Sequence, residues 1–294
     1  MIISDNSIIQ AQKYDDIRIY APYIGLGNIF SRKLLSYIFK YDLKILKRLF
    51  RNRSILKDPD NFIIVFDSRM STDFLEWIMI NKPLAKLVFW YWNPIRKTIP
   101  LEDIPQRYDV WSYSMYESNK YNIKFHEQFF LKSDYKKSIK NDNSVFFIGK
   151  DKGRLQDIIK IEKYLDKHKI ITNFIYIANR RTLVNRDNRV RNKSIPYDRV
   201  QKFCSECDTI FDYCADNKDG LSLRPLEALY YHKKIITNNL SILKASFYDP
   251  NWIFVIGYDS LENIVDFCNK NYDNIDFKTV DNYSFEQWYK DLKG

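Results

Sequence analysis

The chain has 294 residues, 45% of them apolar and 16% aromatic, with seven glycines, a formal charge of +10 and a pI near 9.2. That length suits two α/β domains, and the scarcity of glycine excludes a chain of flexible linkers or repeats. No apolar run approaches the ~20 residues that span a bilayer, and MIISDNSIIQ lacks the basic region and long apolar core of a secretory signal, so a cytoplasmic location is expected.

In chain order, Ile17 to Ala21 reads as a strand, followed by a loop with Gly25 and Gly27 and a helix from about Ser31. Phe62 to Asp67 is a second strand, Ser71 to Asn81 a helix and Lys86 to Trp92 a third strand. Asp109 to Ser112 is a further short strand, and 120–130 reads as irregular. The polar, Lys-rich stretch 132–144 has no periodicity and is taken as a linker between a first domain, 1–131, and a second, 145–282. The pattern then restarts: strand Val145 to Ile148, helix Asp151 to His168, strand Asn173 to Ile177, helix 197–206, strand 209–213, the helix bearing Glu227, and a short buried strand within KKIITNN. The terminal stretch 283–294 reads as a helix. Such alternation calls for a parallel sheet covered on both faces, formed twice, with ligands beyond the carboxyl ends of the strands, in a cleft between the domains.

Three strand-end loops carry candidate chemistry. The first, GLGNIFSR, offers Gly25, Gly27 and Arg32, although a lone GxG is equally a simple turn. The second, FFIGKDKGR, ends a strand at Gly149 and enters a helix through Lys150, Lys152 and Arg154, which sets cations beside a helix N-terminus. A departing nucleoside diphosphate needs that environment as its charge grows. The third, ANRRT, holds Arg180 and Arg181, of which one could reach a phosphate because adjacent side chains point apart.

The richest segment is DGLSLRPLEALYYHKKIITNN, 219–239. Gly220 permits close backbone approach, and Pro225 suits a first helical turn. Leu226, Leu229 and Tyr230 form an apolar face that leaves Glu227 near the helix mouth. Such a loop and helix start suits a phosphate, and a carboxylate one turn inside it can accept from paired sugar hydroxyls.

Asp219 and Glu227, with seven residues between them, resemble the acidic pair of GT-B glycosyltransferases, and the stretch 144–240 is similar to the bacterial enzymes of capsule, lipopolysaccharide and exopolysaccharide synthesis. The chain departs from that pattern in having Asp at 219, where Glu is familiar, and Arg224, where an apolar residue is commoner. The resemblance implies an α/β, GT-B-like fold of two Rossmann-like domains, with the terminal helix returning to the first. It implies a glycosyltransferase that moves a sugar from a nucleotide-diphosphate donor to a lipid-linked or oligosaccharide acceptor. Glu227 would bind the ribose, with Asp219, Gly220, Leu221, Ser222 and Arg224 at the sugar and diphosphate. Gly149 would lie at the donor, with Lys150, Arg154 and Arg180 there to offset phosphate charge. No cofactor is implied.

The only attractive Asp-x-Asp, Asp58-Pro59-Asp60, precedes a strand, the wrong end for holding a metal against a diphosphate, so a metal-independent reaction is expected. Cys204 and Cys207 form a single CxxC, with Cys214 and His232 conceivable as further ligands. Burial as small apolar residues is the simpler reading. Candidate catalytic residues are Asp219, the strand-end acids Asp67 in VFDSR and Asp109, for both of which a loop or capping role is the alternative, and His126 in KFHEQFF, for which packing among aromatics is; His168 ends a helix, where its charge suits the dipole. Residues 32–57 hold nine Lys/Arg and one Asp among apolar residues. That composition suits an anionic membrane surface or a core helix with a basic face. Nucleic acid is the competing acidic partner, but no RNP, helix-turn-helix or zinc-finger pattern supports it. An inactive, transferase-like assembly partner is a third reading.

Overall fold

The computed structural model describes residues 1–24, 34, 37–38, 41, 43–68, 70–135, 143–178, 190–191, 193, 195–215, 220–270 and 280–294. It divides into two compact units, Met1–His126 with Leu292–Gly294, and Glu127–Asp291. Each is built on one six-stranded, wholly parallel sheet.

In the first unit the strands are β1 (Ile2–Ile3), β2 (Ile19–Tyr20), β3 (Phe62–Phe66), β4 (Lys86–Tyr91), β5 (Asp109–Ser112) and β6 (Lys124–Phe125), in the order β2-β1-β3-β4-β5-β6. FIIVF is buried at all five positions and KLVFWY at five of six, as expected of central parallel strands covered on both faces. Their register runs from Phe62 opposite Lys86 to Phe66 opposite Trp90. Helix α1 (Thr72–Asn81) buries Phe74, Leu75 and Ile78 on this sheet, spaced i, i+1 and i+4 along one face. Helix α2 (Met115–Tyr121) ends, and the short β6 lies, within the stretch 120–130 read as irregular. Ser114 caps α2 by accepting from Glu117 N at 3.3 Å, and Asn122 ends it at φ +52°.

The second unit contains β7 (Ser144–Lys150), β8 (Ile171–Ile177), β9 (Val190–Arg191), β10 (Thr209–Asp212), β11 (Lys234–Thr237) and β12 (Ile253–Val255). Its order is β9-β8-β7-β10-β11-β12. Counted within the unit this is 3-2-1-4-5-6, the Rossmann order. Helices α3 (Leu155–Lys167), α4 (Tyr197–Glu206) and α5 (Leu223–Tyr231) follow β7, β9 and β10. Helix α3 buries Leu155, Ile158, Ile161, Glu162 and Leu165, one continuous stripe at helical spacing. Within β11, Lys234 is buried because its Nζ donates to the carbonyls of Phe267, Cys268 and Lys270 at 2.9, 2.5 and 3.0 Å. It thereby satisfies the C-terminal end of the helix Ile264–Asn269. The terminal helix, α6 (Phe285–Lys293), packs Phe285 and Trp288 against Phe129, and its last two residues group with the first unit.

The order of each sheet defines where the chain reverses direction across it: between β1 and β3 in the first unit, and between β7 and β10 in the second. The carboxyl ends of those strands are where open parallel sheets bind ligands. No helix among the described residues is long and apolar enough to cross a membrane.

Candidate functional site

The reversal point of the second unit lies between the ends of β7 and β10. Strand β7 ends in Gly149 and Lys150, and the loop turns at Lys152 (φ +48°) and Gly153 (φ +83°) into α3. Only glycine fits at 149. A Cβ there would lie 2.7 Å from Phe147 Cζ and 2.9 Å from Arg154 Nη2. The Arg154 guanidinium folds back under this turn, 5.9 Å from the centroid of the Phe147 ring, and its Nε donates to Lys150 O at 3.3 Å. Asp151 accepts from the N–H groups of Gly153 and Leu155 at 3.1 and 3.2 Å. The start of α3 is therefore capped from within, and what the loop presents is cationic side chains: exposed Lys150 and Lys152, and half-buried Arg154.

Strand β10 ends in Asp212, a carboxylate that the sequence reading passed over. It is 6% exposed and accepts from Ser222 Oγ at 3.0 Å and Thr237 Oγ1 at 3.1 Å. Burial raises its pKa, and the hydroxyl of Ser222 and the charge of Arg154 partly oppose that shift. Arg154 answers in kind: burial lowers its pKa and Asp212 holds it up. Between these two strand ends lies a cavity of about 240 Å3 lined by Lys152, Gly153, Arg154, Tyr213, Cys214 and Asn238, among others.

Ser222 also begins α5, where its Oγ accepts from Arg224 N at 3.2 Å. One hydroxyl thus ties the helix start to Asp212. Gly220, at φ +71°, precedes it, and its carbonyl accepts from Asn239 Nδ2 at 2.6 Å. Leu221 is buried. Glu227, one turn into α5, is 1% exposed, and both of its oxygens are engaged. Arg224 Nη1 pairs with Oε2, Tyr197 OH donates to Oε1 at 2.6 Å, and Cys204 Sγ lies 3.6 Å from Oε2. Burial, reinforced by Glu227, raises the Tyr197 and Cys204 pKa values well above their usual range. Burial works against the charge of Arg224, but Glu227, with Cys204 and Tyr197, outweighs it and the net shift is upward. Cys204 and Cys207 are buried free thiols. Among the described residues no group of three or more His, Cys, Asp or Glu is placed to hold a metal ion.

The first unit has its own reversal-point cavity, of about 1040 Å3. Asp5 follows β1 and Asp67 follows β3, and both line it. Asp67 is 2% exposed; Oδ2 accepts from Asn93 N at 2.9 Å and Oδ1 from Asn93 Nδ2 at 3.2 Å. Burial raises its pKa to about 7, although the amide donors of Asn93 and the Trp92 main chain oppose the shift. His126 is elsewhere: it follows β6 at the far edge of this sheet, three strands from β3, with its ring 6.4 Å from that of Trp111. It does not line the Asp67 cavity.

The second unit therefore brings together Gly149, Lys150 and Arg154 at one strand end, and Gly220, Leu221, Ser222, Arg224 and Glu227 along the next loop and helix. Asp212, Tyr197 and Thr237 join them, unnoticed in the sequence. Asp219 and Arg180, like Gly25, Gly27 and Arg32 of the first glycine loop, lie outside the described residues.

No protein-family model matches the sequence, and no curated protein matches it either. Among solved structures, the chain is similar to sucrose-phosphate synthase from Thermosynechococcus elongatus, with a TM-score of 0.57 at 8% identity over 96% of this chain and 83% of that one. It also aligns with the apo lipopolysaccharide outer core galactosyltransferase WaaB (TM-score 0.49, 13% identity, 95% and 84% covered). A third alignment is with a DNA-modifying β-glucosyltransferase (0.47, 14%, 92% and 95%). With two parallel six-stranded sheets, the second in Rossmann order, the chain has the GT-B fold of two Rossmann-like domains.

Proposed function

We propose that the protein is a glycosyltransferase that moves a sugar from a nucleotide-diphosphate donor to a hydroxyl of a growing bacterial surface glycan, without a metal ion. The observation that carries this reading is the second unit's reversal point, where half-buried Arg154 lies beneath the Gly149 turn with Lys150 and Lys152 around it. A diphosphate is the ligand whose charge three such cations offset. Ser222 is tied to Asp212 at the end of β10 and Gly220 to Asn239 just past β11, and Glu227 stands one helical turn further in. Donor binding would trade the Arg224 and Tyr197 contacts of Glu227 for the ribose hydroxyls, which frees the Arg224 guanidinium to meet the diphosphate. Asp219 remains the candidate at the donor sugar.

The first unit supplies the acceptor side. Asp67, in a large polar cavity, is a carboxylate suited to proton abstraction near neutral pH. In the step, the acceptor oxygen bonds to the anomeric carbon and its proton passes to Asp67. The carbon–oxygen bond to the diphosphate breaks, and the nucleoside diphosphate leaves with the electron pair. One displacement of this kind inverts the anomeric configuration.

The described residues of the basic stretch 32–57 face two ways. Ile38, Ile55, Lys47 and Arg51 are buried, and Arg48 and Arg51 both pair with Asp73, so part of it serves the core. Tyr37, Tyr41, Leu46 and Leu49 face outward. Those residues, amid a cationic excess, support docking on an anionic membrane that carries a lipid-linked acceptor.

Thermal-shift measurements with UDP, GDP, CMP and their sugars, with and without chelator, test the donor class. Stabilisation by one nucleoside diphosphate, unaffected by chelator and lost in Glu227→Ala, is the expected result. A protein that responds to none of them but binds RNA with steep salt dependence overturns the reading.

A further inference from the structure

Asp67 is held in the cavity wall chiefly by Asn93, with the Trp92 main chain as a further donor. Its own N–H donates to Trp90 O at 3.1 Å, which fixes the backbone against β4 just past the end of β3. The carboxylate then meets Asn93, which arrives from the far end of β4 and donates twice: main-chain N–H to one oxygen and side-chain N–H to the other. This two-point clasp turns the carboxylate plane and leaves the remaining lone pairs for a ligand in the cavity. The charged and titratable groups around it are Asp5 beyond β1, Lys47 from the helix Lys44–Leu49, Asp73 in α1, Tyr91 in β4, and Lys97 and Asp103 from the loop between β4 and β5. Asp5 pushes Asp67 toward its protonated form, and burial does so more strongly.

We propose that Asn93 is the positioning residue of Asp67, whose two N–H groups hold the carboxylate in its working orientation and set the pH at which it can take a proton. The inference rests on the reading of Asp67 as the base, but its test does not. Hydrogen bonds to a carboxylate favour its charged form, so removal of the Asn93 amide should move the Asp67 titration upward. The main-chain donor survives any substitution at 93. The expected change is therefore partial, about one pH unit, the size that one lost amide donor carries.

The titration can be followed by carbon NMR on protein labelled at the aspartate carboxyl, with the Asp67 signal assigned by its loss in Asp67→Asn. In the wild-type chain its midpoint should lie near neutrality. In Asn93→Ala it should rise by about one unit, and in Asn93→Ser, which keeps a short donor, it should fall between the two. A midpoint unmoved in Asn93→Ala, with circular dichroism like that of wild type, overturns the proposal. Should Asn93→Ala fail to fold, an unmoved midpoint in Asn93→Ser does the same. Full turnover by Asp67→Asn would instead refute Asp67 as the base, whatever the titration shows.

Discussion

The two units solve one problem, a carboxylate buried at the reversal point of a parallel sheet, in opposite ways. At the reversal point of the second unit two buried carboxylates each have a guanidinium near them: Arg224 pairs with Glu227, and the charge of Arg154 opposes the upward shift that burial gives Asp212. In the first unit the hydrogen-bond donors of Asp67 are amides, and its pKa climbs to about 7. A carboxylate paired with a fixed cation stays charged, whereas one held by neutral dipoles in a cavity wall can exchange a proton near neutral pH. The two units thus hold their reversal-point carboxylates with different partners, guanidinium groups in the second and amides in the first.

The contrast is broken most directly at Asp67. Asp67→Asn should lower turnover by about 10²–10⁴-fold while nucleotide binding stays unchanged, as steady-state rates and calorimetry would show. The same residue has a signature in stability. The folded chain holds its proton up to about pH 7, but the unfolded chain releases it near pH 4. The folded state therefore binds the extra proton in that window, and the Asp67 contribution to stability falls as pH rises through it. Asp67→Asn should raise the melting temperature relative to wild type more at pH 8 than at pH 5.

In the second unit, Arg224→Ala should destabilise the fold by about 3–5 kcal/mol in urea unfolding, because it strands a buried Glu227. Equal stability would mean that the Arg224–Glu227 pair contributes nothing to the fold. Gly149→Ala should cost about 1–3 kcal/mol, since its Cβ collides with the Phe147 ring, and should weaken UDP binding by pushing Arg154 aside. Ser222→Ala, which loses the cap of α5 and the tie to Asp212, sits at the lower end, at about 1 kcal/mol.

Much of this was legible in the sequence. Continuous apolar runs such as FIIVF and KLVFWY, and the amphipathic run 155–167, announce strands and a helix by period alone. Gly149 and Glu227 stood out because a glycine at a strand end and a carboxylate one turn into a helix are local patterns. Other features depend on distant partners. Asp212 looked like part of a buried strand, and its role comes from Thr237 and Ser222, 25 and 10 residues away. Tyr197 reaches Glu227 across 30 residues. The pairing of Arg224 with Glu227 did have a signal, their i, i+3 spacing on one helix face. Strand β1 was missed because two residues cannot show a period, and α2 because its core contacts are few and its cap, Ser114, lies among other polar residues.

The central claim is that the cations around Gly149 receive a nucleoside diphosphate, and calorimetric titration of UDP and GDP into wild type and Arg154→Ala, in the presence of EDTA, tests it most directly. The account predicts saturable binding of one of them to the wild-type chain and at least a tenfold (about 1.4 kcal/mol) weaker association with the variant. Equal affinity in the two proteins, or no binding of either nucleotide to the wild type, would contradict it.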